Sequence, residues 1–258
     1  MLLCRFTHSS FAEPSYGRIE GTSVYPIDET EYFDARSISL DNQPLALEGV
    51  RLIAPVRPSK IVCIGRNYRE HAAELGNKMP DYPLLFLKAP SALISNDDVI
   101  ELPKESARVE HEGELGVVIG RKARRISADE DPLSYVLGYT CLNDVTARDL
   151  QRQDVQFTRA KSFDTFCPVG PFIVTDMNPL DIEVVTRLNG ELKQQGRTSS
   201  MAFSVPFLIT YIANIMTLLP GDLIATGTPA GVSPMKHGDI VEVEVEGIGV
   251  LRNQVAGL

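Results

Sequence analysis

The hydrophobic pattern of this chain consists of short apolar runs separated by turn residues, which is typical of β-strands. Clear strand patterns cover residues 60–65, 84–88, 111–120 and 136–145. Helical composition is found at residues 66–75 with Asn67 as N-cap, from residue 146 onward, and at residues 206–216 with Ser204 as cap. The last of these is apolar on nearly all sides, so we expect it to be buried. Because strands and helices do not alternate evenly, the pattern favours an α+β fold, mainly β, over a doubly wound sheet.

The first part of the chain differs from the rest. Residues 1–55 contain short strands and turns but no cluster of residues suited to chemistry. A connector with Pro55, Arg57 and Pro58 follows, and the composition changes after it. We therefore predict two units, a small accessory β domain of residues 1–55 and a main domain of residues 56–258.

Charge and hydropathy exclude two classes of partner. The 258 residues carry a net charge of -9, whereas a nucleic-acid-binding surface must be basic. No apolar run approaches the roughly 18 residues needed to cross a membrane. The 43% of hydrophobic and 23% of charged residues are those of an ordinary soluble globular protein.

The cysteines indicate a reducing compartment. They are widely spaced and form no CxxC pair, and three lie in apolar, strand-like segments where a buried free thiol is the common outcome. No signal peptide is recognisable at the N-terminus, so we expect a cytoplasmic protein. The four thiols are those of Cys4, Cys63, Cys141 and Cys167.

Two acids lie at the start of the apolar run 111–120. Glu112 and Glu114 are two residues apart, so in a strand their side chains point to the same side. Two neighbouring carboxylates repel each other unless a cation lies between them, and a hard divalent cation suits oxygen ligands. The alternative is a solvated strand end with both acids in water.

Three other places carry candidate residues. Asp144 ends an apolar strand and is either a helix N-cap or a ligand. His71 and Glu74 share a face of a short helix before the loop 76–83, an arrangement that suits a lid or an ordinary solvated helix face. Lys161 precedes another apolar segment and is either a site residue or a surface lysine.

A turn rich in glycine, threonine and proline follows the strand pattern near the C-terminus. Residues 226–232 can present backbone N–H groups and hydroxyls to an anion. The turn lacks the lysine and the spacing of a P-loop, so it does not predict a nucleotide site.

Taken in order, these segments resemble the motifs of the fumarylacetoacetate hydrolase family. The resemblance spans roughly residues 60–250, and residues 1–55 resemble the small N-terminal domain of many bacterial members. It implies a mixed β-sandwich roll with few helices and a homodimer, similar to acylpyruvases and 2-hydroxyhepta-2,4-diene-1,7-dioate isomerases. The matching segments are residues 64–71 (IGRNYREH), 86–88 (FLK), 112–116 (EGELG), 143–149 (NDVTARD), 160–163 (AKSF) and 226–232 (TGTPAGV).

The resemblance also implies a role for individual residues, and the chain departs from the family pattern at none of these positions. The implied metal ligands, for Mg²⁺ and sometimes Mn²⁺ or Ca²⁺, are Glu112, Glu114 and Asp144. The implied catalytic residues are His71, Glu74 and Lys161. The implied contacts to the 2-oxo-carboxylate end of a small-molecule substrate are Arg66, Gln151 and Thr228.

The reaction implied in this way is the Mg²⁺-dependent hydrolysis of a C–C bond in an acylpyruvate-type 2,4-dioxo acid. A histidine oriented by a glutamate can activate water, which favours hydrolysis. The same residues also suit decarboxylation of oxaloacetate, tautomerisation, or isomerisation of a 2-hydroxy-dienedioate. A non-catalytic metal-binding protein is the remaining class, although it would not need His71 or Glu74.

Overall fold

The computed structural model describes residues 1–34 and 42–257, and this part of the chain is mainly β. The mainly β, α+β fold expected from the sequence is confirmed. The N-terminal segment contains strands β1 (Leu2–Thr7), β2 (Ser15–Glu20), β3 (Ser23–Ile27), β4 (Leu45–Ala46) and β5 (Arg51–Ile53), with the short helix α1 (Glu29–Phe33).

The middle of the chain supplies most of the elements around the site. They are β6 (Ile61–Gly65), α2 (Arg69–Glu74), β7 (Leu84–Lys88), β8 (Leu93–Ile94), β9 (Val99–Leu102), β10 (Val109–Glu110), β11 (Gly113–Ile119), β12 (Val136–Asn143), β13 (Thr146–Ala147), α3 (Arg148–Gln153), α4 (Thr158–Lys161) and β14 (Cys167–Val174). The C-terminal part adds β15 (Glu183–Leu188), β16 (Glu191–Arg197), α5 (Val205–Ile215), β17 (Leu223–Ala225), β18 (Ile240–Val245) and β19 (Gly249–Gly257).

Two large sheets organise the described residues. The larger has the strand order β4-β3-β2-β1-β14-β12-β11-β17-β6-β7, with β5 added at β1 and β8 at β14. The smaller has the order β16-β15-β18-β19-β9, and β10 and β13 form a short separate pair. Since β1 pairs with β14 through Leu2 and Val174, the larger sheet continues across residue 55. The division into domains 1–55 and 56–258 stays a prediction.

The core lies on both faces of β11, where every residue is buried. Leu115, Val117 and Ile119 pack with the smaller sheet and α5, whereas Val118 packs in a second cluster on the opposite face. This alternation is the period of two of a strand, and it places Glu114 on the face opposite Leu115.

Helix α5 was expected to be buried, which is confirmed for one face of the helix and wrong for the other. Val205, Leu208 and Ile212 pack in the core, whereas 48% of Phe207 and 57% of Ile215 remain exposed. The apolar residues that pack inward recur at helical spacing and form one face of the helix. The other apolar side chains lie outside this face, where the sheets do not cover them. Ser204 lies at the N-cap but its side chain makes no cap hydrogen bond.

Helix α2 is shorter than the sequence suggests. It begins at Arg69 with Tyr68 as N-cap, so the expectation of Asn67 as N-cap is wrong. Asn67 is fully buried instead, and its amide donates to the carbonyls of Phe203 (3.1 Å) and Thr226 (2.8 Å). These long-range bonds occupy the side chain that would otherwise cap the helix.

Two further expectations have clear outcomes. The four cysteines are free and buried, as predicted. In the described ranges, no helix has the length and hydropathy of a membrane span.

Candidate active site

Three buried acids meet where β11 and β12 pair. The antiparallel register sets Gly113 opposite Asn143, and the backbone N–H of Asp144 donates to the carbonyl of Glu112 at 2.9 Å. One oxygen from each of Glu112, Glu114 and Asp144 lies within 4.8 Å of the others, and all three residues are at most 4% exposed. The solvated alternative for the two glutamates is therefore wrong.

Asp144 is not a helix cap. The helix that follows it, α3, has Ala147 as its N-cap. The carboxylate of Asp144 lies instead between two lysines, at 2.7 Å from Nζ of Lys88 and 2.6 Å from Nζ of Lys161. The side chain therefore belongs to the acidic cluster.

The chemistry of the donor set fits a hard divalent cation. Burial raises the pKa of Glu114 well above its usual range, and the neighbouring charges of Asp144 and Glu112 raise it further. Lys161 and the backbone N–H of Gly227 offset this only in part. Three carboxylate oxygens in one buried place are what Mg²⁺, Mn²⁺ or Ca²⁺ prefers, so these residues would hold such an ion.

Buried cations surround the acids. Nζ of Lys161 lies 2.7 Å from Oε2 of Glu112 as well as against Asp144. Burial alone would lower the pKa of Lys161, but the two carboxylates outweigh it and hold the pKa above its usual range. Lys161 is therefore a buried, charged side chain, and the surface alternative is wrong.

Arg148 secures Glu112 from the other side. Its guanidinium donates to Oε1 of Glu112, to Oε2 of Glu110 (2.6 Å) and to Oε1 of Gln151 (2.5 Å). Burial alone would raise the pKa of Glu112, but Lys161 and Arg148 hold it below its usual range. Glu112 is therefore a carboxylate, fixed by two cations.

His71 and Glu74 form a pair next to the acids. Nδ1 of His71 lies 3.3 Å from Oε2 of Glu74, across one turn of α2. Glu74 also accepts the backbone N–H of Gly231, at 3.1 and 3.2 Å to its two oxygens. His71 is only 5% exposed, so this face of α2 is not simply solvated.

A cavity of about 330 Å³ connects the candidates. It is lined by eight of the nine residues singled out from the sequence, and Glu74 lies behind His71. The lining candidates are Arg66, His71, Glu112, Glu114, Asp144, Gln151, Lys161 and Thr228.

The wall of the cavity also holds two arginines without a partner. The side chains of Arg66 and Arg152 make no hydrogen bond or ion pair with any residue in the ranges 1–34 and 42–257. Arg66 has a φ of 59°, an uncommon backbone conformation for a residue with a side chain. Lys161 and Arg148 are already paired with acids, so Arg66 and Arg152 are the cations of the cavity wall that are available to an incoming anion.

Two charged residues of the site were not singled out from the sequence. Lys88 and Arg148 are both at most 1% exposed and hold Asp144 and Glu112. A signal existed for each, because Lys88 ends an apolar strand and Arg148 follows Asp144 by four residues. A charged residue directly after an apolar run is nevertheless common at strand ends, so only the fold distinguishes them.

The family model described as fumarylacetoacetate (FAA) hydrolase C-terminal matches residues 60–256. The chain belongs to the fumarylacetoacetate hydrolase family. A second model, described as Rv2993c-like, N-terminal, matches residues 1–55. Members of the fumarylacetoacetate hydrolase family are enzymes, and this chain is one of them.

Three relatives illustrate the similarity. An uncharacterized protein of Methanocaldococcus jannaschii is 55% identical, over 79% of this chain and 85% of its own. Oxaloacetate tautomerase YisK of Bacillus subtilis is 44% identical, over 81% of this chain and 74% of its own. The crystal structure of 2-hydroxyhepta-2,4-diene-1,7-dioate isomerase from Mycobacterium marinum has a TM-score of 0.90 and 42% identity, covering 100% of this chain and 98% of that chain.

Proposed function

We propose that this protein is a divalent-metal-dependent enzyme that moves a proton between the keto and enol forms of a small 2-oxo acid carrying a second carboxylate. The observation that carries the proposal is the buried cluster of Glu112, Glu114 and Asp144 in a cavity whose wall holds the unpaired Arg66 and Arg152. Relatives named as an oxaloacetate tautomerase and a dienedioate isomerase support this reaction class.

The three acids would hold the metal ion. Bound there, Mg²⁺, Mn²⁺ or Ca²⁺ would supply a Lewis acid that stabilises negative charge on the oxygen of the 2-oxo group. Lys161 adds positive charge at the same place, and its raised pKa means that it keeps its proton. The substrate carboxylates have Arg66 and Arg152 as partners, since the charges of Lys161 and Arg148 are already used by acids.

His71 is the group that would move the proton. Glu74 accepts a hydrogen bond from Nδ1–H of His71, which leaves Nε2 as the basic nitrogen of the ring. In tautomerisation, this nitrogen takes a proton from the carbon beside the 2-oxo group and returns it to oxygen. Such general acid–base catalysis contributes roughly 100- to 10,000-fold in rate.

A second candidate is hydrolysis of an acylpyruvate-type 2,4-dioxo acid. The contact between His71 and Glu74 favours it, because the same imidazole can take a proton from water. Attack of that water on the 4-oxo carbon breaks the C3–C4 bond and yields pyruvate and a carboxylic acid. Both candidates use one pair of residues, so the products must distinguish them.

The test is a product-resolved substrate panel. Oxaloacetate, acetylpyruvate and a 2-hydroxy-dienedioate are incubated with the purified protein and Mg²⁺, with EDTA in a matched control. We expect Mg²⁺-dependent interconversion of keto and enol oxaloacetate to be the fastest reaction. Pyruvate and acetate formed from acetylpyruvate as the main activity would favour the second candidate, and pyruvate and CO₂ from oxaloacetate would indicate decarboxylation. No Mg²⁺-dependent turnover across the panel would contradict both.

The variant His71→Ala separates proton transfer from metal binding. We expect it to lose turnover by at least about 100-fold while its affinity for Mg²⁺ changes little, because His71 is not among the three acids. Turnover is measured by steady-state kinetics and Mg²⁺ binding by calorimetry. Full activity in His71→Ala would show that the proposed role of the pair is wrong.

A further inference from the structure

The turn 226–231 contacts both halves of the candidate site. At one end, the backbone N–H of Gly227 donates to Oε2 of Glu114 at 2.7 Å. At the other end, the backbone N–H of Gly231 donates to both carboxylate oxygens of Glu74. One short segment therefore sets the distance between a candidate metal ligand and the acid behind His71. We call residues 226–231 the bridging turn.

A single side chain holds the bridging turn from behind. Gln194, in β16, is fully buried and does not line the cavity. Its Nε2 donates to Oγ1 of Thr228 at 2.6 Å and to the carbonyl of Pro229 at 2.7 Å. Its Oε1 accepts from the backbone N–H of Gly113 and from Nδ1 of His111, both at 3.0 Å. The amide thus uses its full capacity of two donors and two acceptors.

The direction of every bond in this network is determined by its neighbours. The N–H of Gly113 can only donate, so it fixes the oxygen of the Gln194 amide on its side and the NH₂ on the side of the bridging turn. Thr228 accepts from that NH₂, and its own hydroxyl proton goes to the carbonyl of Gly113 at 2.8 Å. His111 donates through Nδ1, which leaves Nε2 to accept from the hydroxyl of Ser233 at 2.8 Å.

Close packing leaves the bridging turn no room to move toward β16. A Cβ on Gly231 would lie 1.9 Å from the carbonyl oxygen of Lys193, and Gly231 has a φ of 105°. A Cβ on Gly196 would lie 2.6 Å from Cβ of Pro229. Such distances are far inside van der Waals contact, so the turn rests directly on the strand that carries Gln194.

We propose that Gln194 is a positioning residue, which acts through Thr228 and the bridging turn to align Glu114 with the His71–Glu74 pair. The inference rests on the proposed function only for its kinetic consequence. Gln194 touches neither the cavity nor the three acids, so its effect on catalysis is indirect. His111 helps to hold Gln194 because its Nδ1–H donates to the second lone pair of the Gln194 amide oxygen.

The strand itself offers a matched control. Gln195 is the next residue of β16, has the same side chain, and points to the opposite, exposed face, where its amide donates to Glu183 at 2.9 Å. Gln194→Met keeps the length of the side chain but removes all four hydrogen bonds. Gln194→Glu keeps acceptors for His111 and Gly113 but loses the NH₂ donor. Gln195→Met and Gln195→Glu make the same changes away from the site.

The first measurement requires no substrate. Hydrogen exchange of peptides that cover residues 226–233 is compared in all four variants and the parent protein. We expect faster exchange of these amides in Gln194→Met and Gln194→Glu, with unchanged exchange in β14, which does not contact Gln194, and in the Gln195 variants. Unchanged exchange of residues 226–233, or an increase spread over the whole chain, would overturn the proposal.

The second measurement is kinetic, at a temperature where thermal unfolding shows every variant to be folded. We expect kcat/KM to fall by about 100-fold in Gln194→Met, since small displacements of catalytic groups have effects of that size. The Gln195 variants should stay within about twofold of the parent, as surface changes usually do. A Gln194→Met enzyme with parental kcat/KM would show a merely structural role.

A double-mutant cycle tests the route through Thr228. In the double variant Gln194→Met/Thr228→Val, the fold-decrease in kcat/KM should be smaller than the product of the fold-decreases of the two single variants. The reason is that both substitutions remove the same hydrogen bond. Losses that multiply fully would contradict this route. If the parent protein turns over no substrate of the panel, the proposed function fails, while the exchange experiment still decides the positioning role.

Discussion

Glu112 directly precedes β11 and Glu114 lies within it, two residues further along, yet the two carboxyl groups have different surroundings. Glu112 is fixed by Lys161 and Arg148, and its pKa lies below the usual range. Glu114 receives one backbone N–H, from Gly227, and its pKa is raised by burial and by the neighbouring acids. Of the two, Glu114 is therefore the acid whose charge the protein leaves uncompensated, and a bound cation would compensate it.

The variant Glu114→Ala follows from this difference. We expect it to lose Mg²⁺ binding, because one of the three oxygen ligands and its charge are removed. Binding is measured by calorimetry, and thermal unfolding in EDTA checks that the variant is folded. Glu244→Ala, in β18 and paired with Arg187, serves as the control because it removes a glutamate from a strand outside the site. An unchanged affinity in Glu114→Ala would show that the acids are not the metal site.

The cysteines give a prediction on pH. Burial raises the pKa of both Cys4 and Cys141 to about 12. An exposed thiol ionises near pH 8.5. Around that pH, these two thiols therefore stay protonated in the folded chain but ionise in the unfolded chain. We expect a thiol reagent at about pH 8 to react slowly with the native protein. After denaturation, the same reagent should react rapidly with all four cysteines. Because the folded pKa lies above the unfolded one, the contribution of these thiols to stability falls as the pH rises above about 8.5. Rapid reaction of the native protein would contradict this prediction.

At the scale of elements, β11 and β15 approach each other so closely at Gly113 that only a glycine fits there. A Cβ on Gly113 would lie 2.0 Å from Oγ1 of Thr186. Gly113 lies between Glu112 and Glu114 and also accepts from Thr228, so its position affects the acids and the bridging turn together. The contact between the sheets therefore supports the geometry of the site.

We expect Gly113→Ala to lower the free energy of unfolding by about 1–3 kcal/mol, the usual range for overpacking a core. Thr186→Ala added to it should restore part of the loss by making room for the new methyl group. Gly49→Ala is the control, because nothing lies within 4 Å of a Cβ at that glycine. Stability is measured by denaturant unfolding. A neutral Gly113→Ala would show that the sheets can separate at this point without cost.

Elements that the sequence pattern predicts well are those whose signal is local. The strands around the site and the pairing of His71 with Glu74 follow from periods of two and of three to four residues. Helix α2 is shorter than predicted because Asn67 bonds to residues 136 and 159 positions away. Contacts over such distances are not encoded in a local pattern.

At the scale of the whole molecule, the family resemblance leads us to propose a homodimer. Phe207 and Ile215 of α5 remain exposed, and the ring of Phe207 lies between the half-buried rings of Phe203 and Tyr211, with centroids 5.7 and 6.0 Å away. Exposed apolar side chains in a contiguous patch are typical of interaction sites. Light scattering after size exclusion should give twice the mass of the chain, and a single-chain mass at micromolar concentration would contradict the proposal.

The sequence by itself determined which residue types could do chemistry and much of their local arrangement. Alternation along a strand places Glu112 and Glu114 on one side, and motifs in a characteristic order identify the family. Both signals lie in the order of residues along the chain, so they can be recognised without a structure.

Only the tertiary structure decided how those residues are used. It brought Lys88 to Asp144 and Arg148 to Glu112, and it oriented the amide of Gln194 toward the bridging turn. A charge or an amide in a sequence has no direction, and its partner is set by which strands pair and which faces meet. For that reason Glu112 and Glu114, the same residue type in the sequence, differ in the structure: Glu112 is held by two cations, and Glu114 has a charge that a bound metal ion would compensate.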